Sequence, residues 1–144
     1  MTTIAYRDGV IAYDSRQTRG DRIVSDNSPK CQVVNGVSFL LSGVVCDENA
    51  LISAYFGTPS PVPVECSGFV VDGYRLMMVG HDDKTGIWKM DLDLANPDAI
   101  GSGAPYALAA MDMGASAEDA VRMAMKRDIY TGGIVRSINL MEGK

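Results

Sequence analysis

A chain of 144 residues, 47% hydrophobic and 22% charged, has the composition of one ordinary soluble domain, long enough to bury a core without disulfides or metals. Its net charge of −5, with no run of lysine or arginine, argues against nucleic-acid binding, and no apolar stretch reaches the length of a membrane span. Three cysteines, Cys31, Cys46 and Cys66, form no CxxC pair and read as reduced thiols of a cytoplasmic protein, and no basic-then-apolar leader precedes the first strand.

In chain order, Asp8-Gly9 between two apolar runs predicts a hairpin of Thr3–Tyr6 with Val10–Tyr13. The polar stretch "SRQTRGDRIVSDNSPK" reads as a loop with a brief strand at Arg22–Ser25. "CQVVNGVSFLLSG" is a second hairpin around Asn35-Gly36, ending in a small-residue elbow at Ser42-Gly43. "DENALISAYFG" fits a short helix capped by Asp47 and stopped by Gly57. Three prolines make "TPSPVPVE" an extended connector. "GFVVDGYRLMMVG" gives a third hairpin and "TGIWKMDL" another strand. Two helices follow: one opens near Pro105 and stops at Gly114, and the other opens with Ser116 and Asp119 in a capping-box arrangement. "GGIVRSINLM" closes the chain as a strand. Hairpins imply antiparallel pairing, so the class is α+β, with sheets covered by helices.

Taken singly, the residues able to do chemistry have structural readings too. His81 lies beside Asp82 and Asp83, but without a second histidine or spaced cysteines it reads as part of a hairpin turn. Ser102 in "IGSGAP" suits a helix start and is no GxSxG elbow. Lys30 stands at a strand entrance, Asp14 at a strand end, and Asp128 with Thr131 in a helix-to-strand turn.

Together, "TTIAYRDGVIAYDSRQT", "PKCQVVNGVSFLLSG", "DAIGSGAPYALAAMDMG" and "AVRMAMKRDIYTGG" stand in the order found in proteasome β-type subunits, and the chain resembles that family, HslV-type peptidases above all. The resemblance implies an αββα four-layer sandwich of the N-terminal-nucleophile hydrolase type, formed by residues 1–144 as a single domain. It also implies that Thr2, freed by removal of Met1, is a peptidase nucleophile. A free α-amine titrates near pH ~8 and can take the hydroxyl proton, which an amide nitrogen cannot. That chemistry requires the threonine to come first.

By the same resemblance Lys30 is the buried lysine beside the nucleophile, Asp14 orients and neutralises it, and the Gly43 N–H forms the oxyanion hole. Ser102, Asp128 and Thr131 form the polar set around the amine. Thr18 and Val45 bind substrate as an added strand, its side chain entering a pocket near Leu41 and Val45. No metal or other cofactor is implied. The implied partners are a peptide or unfolded protein substrate, further copies of the chain in a homo-oligomer and an ATPase unfoldase, with no nucleic acid and no membrane.

The chain departs from the family in two places. Only "DENALISAYF" and the Pro-rich connector stand where the family has two long helices, so one helical layer is expected to be reduced. Arginines fill "SRQTRGDR", where HslV-type relatives are small and Gly-rich. Leu51, Ile52, Tyr55 and Phe56 of the short helix are then the expected contact between copies. A non-catalytic scaffold and a small-molecule amidohydrolase remain as alternative readings.

Overall fold

A left-handed residue pair sets the first hairpin. The computed structural model describes residues 2–140, so Met1 and its expected removal, like the predicted end of the last strand at Met141, lie outside the described residues. Strands β1 (Thr3–Arg7) and β2 (Val10–Tyr13) are joined by Asp8 at φ 50° and Gly9 at φ 82°. A turn left-handed at both central residues matches the twist of the strands it joins, and aspartate and glycine tolerate it. The next hairpin, β3 (Gln17–Arg19) with β4 (Arg22–Ser25), has a register shift at Gln17/Thr18. Only β4 was expected. β3 is polar throughout, without the alternation that betrays a half-buried strand.

The chain divides into two compact units, residues 31–92 and the two flanking segments. The unit of residues 31–92 is an antiparallel sheet with one helix. β5 (Cys31–Val34) and β6 (Val37–Gly43) are followed by α1 (Glu48–Tyr55), β7 (Cys66–Asp72), β8 (Arg75–Asp82) and β9 (Gly86–Asp91), and the strands lie side by side in chain order. Leu51, Ile52 and Tyr55 of α1 share a buried core with Phe39, Leu41, Val70, Met77 and Val79. This corrects the expected contact between copies. The apolar face of α1 is spent on its own sheet, and of the four residues only Phe56 is exposed, at 43%. Asp47 precedes α1 without capping it by its side chain; its Oδ2 accepts the Glu65 N–H at 2.8 Å instead.

In the other unit, β10 (Asp98–Gly101) and β11 (Arg136–Asn139) complete an antiparallel sheet of order β10-β1-β2-β11. β10 was not expected; its four residues carry little pattern of their own, and their pairing with β1 makes them a strand. Between these strands lie α2 (Ala104–Asp112) and α3 (Ala117–Arg127). Ser116 Oγ accepts the Asp119 N–H at 3.1 Å, as its spacing predicted. Acidic Glu118 and Asp119 at the start of α3, and basic Lys126 and Arg127 at its end, complement the helix dipole. Ala117, Ala120, Val121 and Ala124 form its buried stripe, which packs with Ala107 and Met111 of α2 on Ala5, Ala12 and Ala99 of the sheet. Alanines on both sides bring the helices close to the strands. The α+β class read from the sequence is the one observed.

Gly101 shows how tightly this sheet closes on the start of β1. It pairs with Thr3 at φ 98°, and a Cβ there would stand 1.9 Å from the Thr2 carbonyl oxygen. Gly101→Ala is therefore expected to cost about 2–4 kcal/mol, from backbone strain plus overpacking. Gly114→Ala, at φ 104° with open space around it, carries only the strain, about 1–2 kcal/mol. Chemical denaturation of the two variants checks the difference; equal losses would mean that Gly101 is not a close approach.

Candidate active site

Asp14 directly follows β2 with no exposed surface, and a carboxylate taken that far out of water needs partners on both oxygens. It has them. Oδ1 accepts from the Thr2 hydroxyl, from the Thr3 N–H at 3.2 Å and from Lys30 Nζ at 2.8 Å. Oδ2 accepts from the Gly132 N–H at 3.0 Å and the Arg16 N–H at 3.3 Å. Lys30, with its side chain 11% exposed, also donates to Thr2 Oγ1. The Thr2 hydroxyl, itself almost fully buried, thus sits between an ammonium that donates to it and a carboxylate that accepts from it. An ammonium at that position stabilises negative charge on the oxygen.

A second acidic cluster adjoins the first. Asp128, just after α3, accepts at Oδ2 from Ser102 Oγ and Thr131 Oγ1, both at 2.6 Å, and at Oδ1 from the Tyr130 N–H at 3.1 Å. Burial pushes the Asp128 carboxyl up, but these hydrogen bonds outweigh it and hold the group below the usual carboxylate range. Thr131 Oγ1 lies 2.7 Å from Thr3 Oγ1, which links this cluster to the start of β1. Ser102 reaches it because glycines flank it: the Gly103 N–H lies 3.5 Å from the Thr2 carbonyl, and a Cβ on Gly103 would stand 2.0 Å from Thr3 Oγ1.

The structure thus brings together Thr2, Asp14, Lys30, Ser102, Asp128 and Thr131. The sequence reading passed over Thr3, Arg16, Gly101, Gly103 and Gly132. The doubled threonine and the glycines around Ser102 were the available signals; Gly132 acts through its N–H, which no residue type advertises. Gly43, in the other unit, has φ 123° and pairs with Cys66, and a Cβ there would stand 2.5 Å from the Glu65 carbonyl oxygen. In that unit Leu41 is buried in the core and Val45 is exposed. Thr18 on β3 lines a cleft of about 430 Å³ with Arg16, Ile23, Met125, Asp128 and Tyr130.

Burial, aided by Glu48 and Asp47, pushes the Cys66 thiol up to about 12, which makes it a poor nucleophile. His81 Nδ1 is buried without a hydrogen bond, 3.9 Å from Asp83. Among the described residues no group of three or more histidine, cysteine or acidic side chains could hold a metal, and no helix is long and apolar enough to cross a membrane.

No protein-family model matches the sequence, and no curated protein does. Solved structures do. Thiobacillus denitrificans BPH in complex with epoxomicin aligns with a TM-score of 0.68 at 19% identity, over 96% of this chain and 98% of that one. A second structure of Thiobacillus denitrificans BPH gives 0.69 at 18%, over 96% and 97%. Eukaryotic HslV from Trypanosoma brucei gives 0.67 at 16%, over 96% and 98%. The chain has the HslV fold. At these identities it is the fold that the likeness establishes, and the sequence resemblance had pointed to it.

The lowered Asp128 carboxyl has a consequence for stability. A group depressed in the folded state contributes stability above its unfolded value, near pH ~4, and loses it as pH falls through the folded value. Asp128→Asn should therefore be less stable than the parent at neutral pH, and the gap should close below about pH 4. Denaturant titrations across that range read it; a gap that is constant or widens toward acid would contradict the assignment.

Proposed function

We propose that this chain is an N-terminal threonine hydrolase of the proteasome β-type and HslV kind, which cleaves peptide bonds through Thr2 once Met1 has been removed. One observation carries the reading: Lys30 Nζ donates both to Thr2 Oγ1 and to the buried Asp14 carboxylate. A buried ion pair is weak support for stability. As a purely structural device in a non-catalytic scaffold, this one would bring little; beside a hydroxyl it lowers the energy of an alkoxide.

In the proposed reaction the freed α-amine of Thr2 takes the proton of the Thr2 hydroxyl as its oxygen attacks the substrate carbonyl. Lys30 stabilises the charge on the attacking oxygen, and Asp14 holds Lys30 in place. The Gly43 N–H is assigned to the oxyanion. Collapse expels the amine product, protonated by the Thr2 ammonium, and leaves an ester on Oγ1. Water activated by the same amine then hydrolyses the ester. Ser102, Asp128 and Thr131 orient the amine, while Thr18 and Val45 hold the substrate as an extended strand, with Leu41 backing the pocket.

The fold likeness supports extending the proposal to a four-layer αββα arrangement in one domain, with one helical layer reduced, and to a homo-oligomer acting on peptides or unfolded protein. Self-association would then use surfaces other than the apolar face of α1. An ATPase unfoldase is the partner such an assembly would serve.

Hydrolysis of a fluorogenic peptide by protein whose intact mass confirms loss of Met1 tests the reading. Thr2→Ala and Lys30→Ala should each lower kcat/KM by at least about a thousandfold. Lys30→Ala should stay folded, because Asp14 keeps its hydrogen bonds from Thr2, Thr3, Gly132 and Arg16. Full activity of Lys30→Ala with an unchanged pH profile would overturn it.

A further inference from the structure

The Gly132 N–H on Asp14 Oδ2 comes from the irregular turn after α3, and a turn outside regular structure needs something to hold it. Ser15 supplies part of that, its N–H donating to the Gly132 carbonyl at 2.9 Å and its hydroxyl to the Ile134 carbonyl, and Arg16 supplies a further part through its side chain. Its guanidinium donates Nη1–H to the Ile129 carbonyl at 2.9 Å. Nε and Nη2 fork onto Asp26, at 2.8 Å to Oδ1 and 3.2 Å to Oδ2. The guanidinium lies directly against Gly132, where a Cβ would come within 2.4 Å of it. Asp26 holds the far side of the same turn through its backbone, its carbonyl accepting the Ile134 N–H at 3.3 Å. Arg16 also gives its own N–H to Asp14 Oδ2. Both hydrogen bonds on Oδ2 therefore depend on where Arg16 sits.

We propose that Arg16 and Asp26 form a clamp that positions Asp14: the pair fixes the turn carrying the Gly132 N–H, and through Asp14 it sets the reactivity of Thr2 without touching substrate. The inference rests on the proposed threonine chemistry for its catalytic consequence, though not for the geometry. If the clamp slackens, Oδ2 loses donors and more of the carboxylate's charge falls on Oδ1. Lys30 is then drawn harder toward Asp14 and away from the Thr2 oxygen. The planar fork is essential to this, because it meets a carboxylate and a carbonyl at once, and a lysine ammonium offers no such fork. The Arg16 guanidinium holds the Asp26 carboxyl below its usual range, so the clamp persists down through mildly acidic pH and is lost only as pH falls through that lowered value. Asp26 is about half exposed, so breaking the pair disturbs global stability little. Arg16, one of the three arginines in "SRQTRGDR" that the sequence marked only as a departure from HslV-type relatives, thereby gains a role.

Arg16→Lys, Asp26→Asn and the double variant test it, by peptide hydrolysis and by hydrogen exchange at the Gly132 amide. Each single variant should lower kcat about tenfold or more with KM within about twofold, and the double should be no worse than the singles, since they break one device. Gly132 exchange should quicken at least about tenfold in each single variant while the melting transition hardly moves. A raised KM with unchanged kcat would make Arg16 a substrate contact and overturn the clamp. Additive losses would do the same, because the two residues would then act separately. Should the parent protein hydrolyse nothing, the proposed function falls, and the clamp is still decided by Gly132 exchange: unchanged protection in both variants refutes it.

Discussion

The described site depends on one buried charge. The Asp14 carboxylate has no exposed surface, and an ion so placed persists only if its surroundings replace the lost water. The replacement comes from distant parts of the sequence: Thr2 and Thr3 at the start of β1, Arg16 after β2, Lys30 before β5 and Gly132 after α3. Satisfying that carboxylate therefore does two jobs. It ties the Lys30 and Gly132 segments, which lie outside any strand, to the paired strands β1 and β2, and it leaves a lysine and a hydroxyl in contact inside the protein. A hydroxyl beside a surface lysine would be screened by water; beside one that is 11% exposed it is not.

The architecture serves this arrangement by close approach. The alanine faces of α2, α3 and the sheet bring the ends of both helices near β1. Arg7 strengthens the junction at the end of α2 by donating to the Met111 and Ala115 carbonyls, both at 2.8 Å, the first of which also accepts the Gly114 N–H. Gly101 and Gly103 then let the backbone pass the Thr2 carbonyl and the Thr3 hydroxyl, and Ser102 between them reaches Asp128. The Gly-Ser-Gly segment is thus a glycine requirement on either side of a serine bonded to Asp128, more than a helix start.

How much of this was legible follows the physics of each feature. Hairpins at Asp8-Gly9 and Asn35-Gly36 were readable because few residue pairs tolerate two left-handed conformations in succession. The capping of α3 was readable because it is local. β3 and β10 were not, since partners elsewhere in the chain make them strands. The apolar face of α1 was visible, but whether its own sheet or another copy covers it is a tertiary matter, and Leu51 with no exposure answers it. At the site, Thr2, Asp14, Lys30, Ser102, Asp128 and Thr131 came from a family resemblance, because single polar residues carry no spacing rule. Thr3, Gly132 and Arg16 stayed hidden for a different reason: their main contributions are backbone N–H groups or contacts fixed only on folding.

The most direct measurement is covalent. Protein that begins at Thr2 is incubated with an epoxyketone such as epoxomicin, and the adduct is located by intact mass and peptide sequencing. One adduct per chain on the N-terminal peptide, abolished by Thr2→Ala and slowed by Lys30→Ala, is the predicted result. No adduct on correctly processed, folded protein, or an adduct confined to a cysteine such as Cys46, would contradict the claim that Thr2 is the activated nucleophile.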